Sequence, residues 1–170
     1  FYESESREIN WKHYVESREK RKIEATYDYV SCNDGSYLFT KIRLQGKKML
    51  YGTLENNRFM YGLKGQSKKQ LKAIYGSLEA IRKAIKEGKP IFIPEGEKDC
   101  DTIERQGYTA FTYGSSGDWQ SDFAELLKDA DVIILADNDE PGKAVAQRIY
   151  DDLKDIARSR KVIVPMPDVP

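Results

Sequence analysis

Hydrophobic positions are densest from Val132 to Ala136, an unbroken apolar run rich in Val and Ile. Such a run predicts a strand buried on both faces, as in a parallel sheet. Asp131 precedes it, and the acid cluster Asp137-Asn138-Asp139-Glu140 follows before Pro141-Gly142 breaks the strand. A helical pattern then runs from Lys143 to about Ile156. The same rhythm precedes it. Ile91-Phe92-Ile93-Pro94 predicts a strand with Glu95-Gly96-Glu97-Lys98-Asp99 as its carboxyl turn, followed by a helix from about Glu97 to Gln106. Thr109 to Thr112 predicts a second strand that ends in Tyr113-Gly114-Ser115-Ser116-Gly117; Gln120 to Lys128 predicts a helix, and Lys161 to Val164 a fourth strand. Strands alternating with helices imply parallel pairing with right-handed crossovers.

The first half has a different pattern. Residues 1–26 are dense in charge, and Ile9, Trp11, Tyr14 and Val15 form at most a short amphipathic face, which predicts a loose helix or linker. From Ala25 to Tyr61 short β-rich runs alternate with turns: Tyr27 to Val30 and Tyr37 to Leu44 flank Asn33-Asp34-Gly35-Ser36, a strong hairpin signal. Lys48 to Tyr51 and Arg58 to Tyr61, split by Glu55-Asn56-Asn57, predict a second hairpin. Leu71, Ile74, Leu78, Ile81 and Ile85 then recur at helical spacing over Lys68 to Glu87, interrupted at Gly76 with Ser77 placed to cap a second helix. The expected organisation is a charged segment (1–26), a small antiparallel β subdomain with a connecting helix (27–90), and an α/β domain (91–170).

Charge changes this picture. The 170 residues balance to zero, but residues 1–90 carry 19 Lys and Arg against 11 Asp and Glu, and residues 91–170 carry 9 against 17. A basic half beside an acidic half suggests an anion-gripping surface joined to a cation-binding site; two merely solvated faces are the plainer alternative. Arg43, Lys47, Lys48, Arg58 and Lys64 fall near the predicted strand edges. Basic residues mixed with Tyr and Phe on a sheet can hold a nucleic-acid backbone and stack bases, or serve as edge-strand charges over an aromatic core. Cys32 and Cys100 lie far apart with no CxxC, which excludes a disulfide framework or zinc ribbon within this segment and suits a reducing, cytoplasmic setting. His13 stands alone and is read as a surface residue. No apolar stretch approaches the roughly 20 residues of a membrane helix, so no membrane partner is expected. A start at Phe1 and a Pro-rich end suggest a segment of a longer protein.

The acids carry the chemistry. Strands ending in Glu95 with Asp99 and in Asp137 with Asp139 would bring four carboxylates to one edge of a parallel sheet. Converging carboxylates repel unless a cation neutralises them. The natural occupant is Mg²⁺ or Mn²⁺, which take carboxylate and water oxygens. Such an ion bridges phosphate oxygens, so phosphoryl transfer is the reaction class implied. Asp139 and Glu140 can equally be helix-capping acids, and Glu97 and Asp101 favour a helix dipole on their own. Lys98 and Lys143 stand beside the clusters, where each can meet a phosphate or remain a surface lysine. The loop Gly114 to Gly117 could let backbone approach phosphate or sugar.

Ile93-Pro94-Glu95-Gly96-Glu97-Lys98-Asp99, followed about forty residues on by Leu135-Ala136-Asp137-Asn138-Asp139-Glu140-Pro141-Gly142, resembles the Toprim domain. That domain is shared by bacterial-type primases, type IA and type II topoisomerases and some nucleases. The variant here looks most like primases and primase-helicases of phages, prophages and mobile elements, and the β-rich stretch from Tyr27 to Gly65 is similar to the segment preceding Toprim in them. The resemblance implies a Rossmann-like Toprim fold. It makes Glu95 the motif glutamate, Asp137 and Asp139 the metal pair, and Asp99 a supporting metal ligand. It implies template-directed primer synthesis on single-stranded DNA from nucleoside triphosphates, with a replicative helicase as domain or partner. A Toprim nuclease and a non-catalytic nucleic-acid-binding module are the alternatives. Asp168 is the acid that remains where a further acidic motif often follows the fourth strand.

Overall fold

The computed structural model describes residues 2–165, with side chains from Trp11 onward. The chain forms two compact units: Phe1–Tyr29 with Tyr37–Leu71, and Val30–Ser36 with Lys72–Pro170.

The first unit holds α1 (Tyr2–Glu19), β1 (Ile23–Ser31), β2 (Tyr37–Leu44), β3 (Lys48–Glu55) and β4 (Arg58–Tyr61), with the strands in the order β4-β3-β2-β1. Side-chain alternation sends Ile42, Leu44 and Phe59 to one face, where Trp11 and Val15 of α1 close a small core. Trp11 stacks on Phe59 with ring centroids 6.0 Å apart. The helix expected at the start is therefore anchored, and two of its apolar positions are buried. Asn56 and Asn57 both adopt left-handed φ, 49° and 60°, between the paired Glu55 and Arg58. Asn tolerates that conformation, and two such residues make the primed turn whose twist matches a tight hairpin.

The stretch Lys68 to Glu87 departs from the expected helix. Only one turn forms at α2 (Lys68–Leu71) before the chain extends as β5 (Ala73–Ile74), and the helix α3 spans Leu78–Glu87. Lys72 sits at φ 48°, which ends the first turn, and Gly76 at φ 155° packs against Phe111. Three- and four-residue apolar spacing is common to a continuous helix and to a strand followed by a shorter helix, so Ile74 misled the pattern. The cap at Ser77 is as expected: its Oγ accepts from the Ala80 amide at 3.1 Å. Ser77→Ala is expected to cost about 0.5–2 kcal/mol, read as a lower urea midpoint for unfolding.

In the second unit a parallel sheet of β6 (Ile91–Ile93), β7 (Thr109–Ala110), β8 (Asp131–Leu135) and β9 (Ser159–Ile163) has the order β7-β6-β8-β9. Helices α3, α4 (Glu97–Arg105) and α5 (Glu140–Asp152) pack on it. Ile91, Ile93, Val132 and Ile134 are at most 1% exposed, while Ala146, Ile149 and Leu153 present the apolar side of α5 and its C-cap to the same core. The end of β1 belongs here too, pairing antiparallel with β5 through Val30–Ile74 and Ser31–Ala73.

Several details of this unit differ from the sequence expectation. The helix expected from Gln120 to Lys128 forms over Ser121–Leu127 as a 3-10 helix. Helix α5 starts three residues early, because Asp139 caps it and Pro141 is tolerated in its first turn, and it stops at Asp152. Strand β9 begins at Ser159, where Arg158 and the Ser159 hydroxyl are tied to Asp131. Among the described residues no helix is long and apolar enough to cross a membrane.

Candidate metal and phosphate site

Register builds the site. Parallel pairing puts Ile91, Phe92 and Ile93 of β6 opposite Val132, Ile133 and Ile134 of β8. The residues that leave these neighbouring strands at their carboxyl ends are Glu95 and Asp137, at the crevice where open α/β sheets place their chemistry. Glu95 is held from a third strand: the Thr112 hydroxyl, just beyond β7, donates to the Glu95 carbonyl at 3.1 Å. Asp139 is fixed differently, as the N-cap of α5, with Oδ1 accepting from the Gly142 amide at 2.7 Å. The capping role considered for Asp139 is thus observed, and it occupies one carboxylate oxygen.

The Glu95 carboxylate, the Asp137 main-chain carbonyl and the Asp139 carboxylate meet around Gly142. A Cβ placed on that residue would lie 2.7 Å from Glu95 Oε1, 2.8 Å from the Asp137 carbonyl oxygen and 2.8 Å from Asp139 Oδ1. Burial pushes the Glu95 carboxyl up to about 7, helped by hydrogen bonding to the Asp137 side chain and by the charges of Asp137 and Asp139. Its Oε1 is buried without a hydrogen-bond partner. Asp137 and Asp139 themselves are exposed.

Asp99 does not enter this group. It is exposed in the first turn of α4, where its Oδ2 would lie 3.5 Å from a Cβ on Gly96, and nothing in the geometry ties it to Glu95. Lys98 and Lys143 are exposed in the first turns of α4 and α5, with no ion pair among the described residues. Arg43, Lys48 and Lys64 lie in the first unit, paired there with Glu24, Glu19 and Glu55 respectively. The Gly114 to Gly117 loop closes on Asp118, whose Oδ2 accepts from the Ser115 amide and hydroxyl at 2.9 and 2.7 Å. Asp168 lies outside the described residues.

Sequence reading missed Tyr113 and Gly142. Tyr113 is 4% exposed, packs edge-on against Trp119, and has its phenol pushed up by burial and by the charges of Glu95 and Asp137. A tyrosine after a short strand carries no signal of that placement. Gly142 looked like a strand breaker, and only the packing shows what surrounds it.

The donor set is oxygen throughout, and the unpartnered Glu95 Oε1 is a group that a hard cation would satisfy. Among the described residues no three His, Cys, Asp or Glu side chains form a ready-made cage. That combination fits Mg²⁺, which keeps several waters and takes one or two carboxylates with substrate phosphates.

The acidity of Glu95 has a testable sign. Its folded value lies above the ordinary 4.5, so the folded chain holds a proton that the unfolded chain has released, and stability falls as pH rises through that window. Glu95→Gln is expected to flatten the melting temperature between pH 4.5 and about 7, and to raise it above that range in chelator-treated buffer. Thermal melts of both proteins across pH check it.

The second unit is thus an α/β unit with acids gathered at the carboxyl edge of its two central parallel strands. No family profile matches the chain. Over 78 residues, 45% of this chain and 60% of the relative, it is 33% identical to a UPF0292 protein of Pyrococcus furiosus. The chain therefore spans less than two thirds of that relative's length. Among solved structures it is similar to the RNA polymerase domain of the primase DnaG of Mycobacterium tuberculosis, with a TM-score of 0.55 and 18% identity over 88% of this chain and 48% of that one. At that identity the likeness is one of fold: the chain has a primase-like fold and spans about half the length of the mycobacterial domain.

Proposed function

We propose that this chain is the Toprim-type core of a DNA primase of the phage or mobile-element kind, joining nucleoside triphosphates on a single-stranded DNA template. The observation that carries this reading is the meeting of Glu95, Asp137 and Asp139 at the carboxyl edge of β6 and β8. The primase-like fold supports it.

Asp137 and Asp139 would hold Mg²⁺ or Mn²⁺ with Glu95, and Asp99 would contribute from α4 through water. When bound, the cation neutralises the acids and offsets charge on phosphate oxygens. The chain's own residues do the rest. Glu95 Oε1, buried and without a hydrogen-bond partner, would turn to that cation, which leaves the other carboxylate oxygen to exchange a proton with an attacking 3′-hydroxyl. Thr112 keeps the Glu95 backbone in place during that exchange. Lys98 and Lys143, exposed beside the acids, supply positive charge to a triphosphate. Arg43, Lys48 and Lys64 would exchange their glutamate partners for backbone phosphates of the template. Surface ion pairs are worth little, so such an exchange costs little.

The test is incubation of the intact protein with a single-stranded DNA template, nucleoside triphosphates and Mn²⁺. Short new oligonucleotides are expected. Shortening of the labelled template without new strands would make the protein a nuclease instead. Template binding that weakens steeply with salt, with no product of either kind, would leave a binding module and overturn the catalytic reading. A helicase partner, if one exists, would be sought by co-purification with the full-length protein.

A further inference from the structure

Gly142 lies in the first turn of α5, with no left-handed φ to demand glycine. At an ordinary helical position alanine would stabilise, because glycine loses more backbone freedom on folding. Here space decides. The three oxygens that a Cβ would meet all stand within 3.0 Å of it, closer than real Cβ contacts come, and one of them is backbone. By contrast a Cβ on Gly96, at the matching turn after β6, would meet only Asp99 Oδ2 at an ordinary 3.5 Å.

We infer that Gly142 is a positioning residue: its missing Cβ is what lets the Glu95 carboxylate, the Asp137 carbonyl and the Asp139 carboxylate close on one another. Its amide adds a directional contact, donating to Asp139 Oδ1 at 2.7 Å and so aiming that side chain. Adding one methyl group would force Glu95 to swing away and the strand-to-helix turn between Asp137 and Gly142 to open. The value of this spacing for cation binding rests on the function proposed above; the spacing itself does not.

Two readouts separate the two ideas. In chelator-treated buffer, Gly142→Ala is expected to lower the melting temperature in the wild-type background, and to lower it less when Glu95 is already Ala. Coupling of that kind is what contacting residues show and independent sites do not. By calorimetry, the affinity of the Gly142→Ala protein for Mn²⁺ is expected to fall about tenfold or more, the scale at which groups that merely orient a ligand act. Equal melting shifts in both backgrounds would overturn the positioning role. Coupling without any cation heat in the wild type would uphold the positioning role and sink the proposed metal site. Should Gly142→Ala fail to fold, recovery of folding in the Glu95→Ala double variant is the supporting result. Failure of both would place the clash on the Asp137 carbonyl and Asp139 Oδ1 and overturn the part assigned to the Glu95 carboxylate.

Discussion

Replacing Asp137 and Asp139 together with Asn is expected to abolish Mg²⁺ and Mn²⁺ binding while the protein stays folded. The substitution isolates charge from structure. Asp139 caps α5 through Oδ1, and Asn is as good an N-cap as Asp, so the hydrogen bond from the Gly142 amide survives. Asp137 is exposed, and its amide counterpart keeps the same shape. What disappears is the pair of charges that would hold a divalent ion and that now help to push up the pKa of Glu95. A loss of cation affinity of at least about 100-fold is expected, because groups that only orient ligands already cost 10- to 100-fold. Primer synthesis should fall at least as far. Titration calorimetry on both proteins, with circular dichroism as the folding control, decides it. Equal heats in wild type and variant would mean that these acids hold no cation.

The second large effect lies away from the acids. Trp119→Ala is expected to destabilise the second unit by about 3–5 kcal/mol, the usual cost of emptying a buried aromatic site. Trp119 is fully buried, meets Tyr113 and Phe123 edge-on at 5.3 and 5.5 Å, and donates its indole N–H to Asp152 Oδ2 at 2.8 Å. A loss of that size is a large fraction of an ordinary domain's stability of about 5–15 kcal/mol. Trp119→Phe should cost less, since most of the apolar contact remains and Ser121 still donates to Asp152 at 3.1 Å. Urea unfolding of the three proteins gives the order. If Trp119→Ala unfolds at the wild-type midpoint, the packing described for the second unit is wrong. Because Tyr113 rests on Trp119 and follows Thr112, which holds Glu95, the Ala variant should also loosen the acid site.

What was legible in the sequence was whatever local pattern alone can specify. The parallel sheet follows from continuous apolar runs ending in acids, the hairpin at Asn56-Asn57 from its turn residues, and the cap at Ser77 from its place before an apolar helix. The candidacy of Glu95, Asp137 and Asp139 was equally legible, because residues at the carboxyl ends of neighbouring parallel strands share one edge. Local pattern failed at Ile74, whose spacing suits helix and strand alike until its pairing partner Val30 is known. It is silent at Asp99, since an acid two residues into a helix reads the same whether it turns toward Glu95 or toward water.

The sequence by itself determined which residues carry charge and that acids follow the apolar runs Ile91 to Ile93 and Val132 to Ala136, because each depends on neighbours along the chain. Only the tertiary structure decided that Glu95 is half-buried beside Asp137, that Tyr113 and Thr112 bound that corner, and that Gly142 leaves room for three oxygens. Those features depend on how separate strands and turns approach one another, and burial and close approach there are set by packing rather than by periodicity.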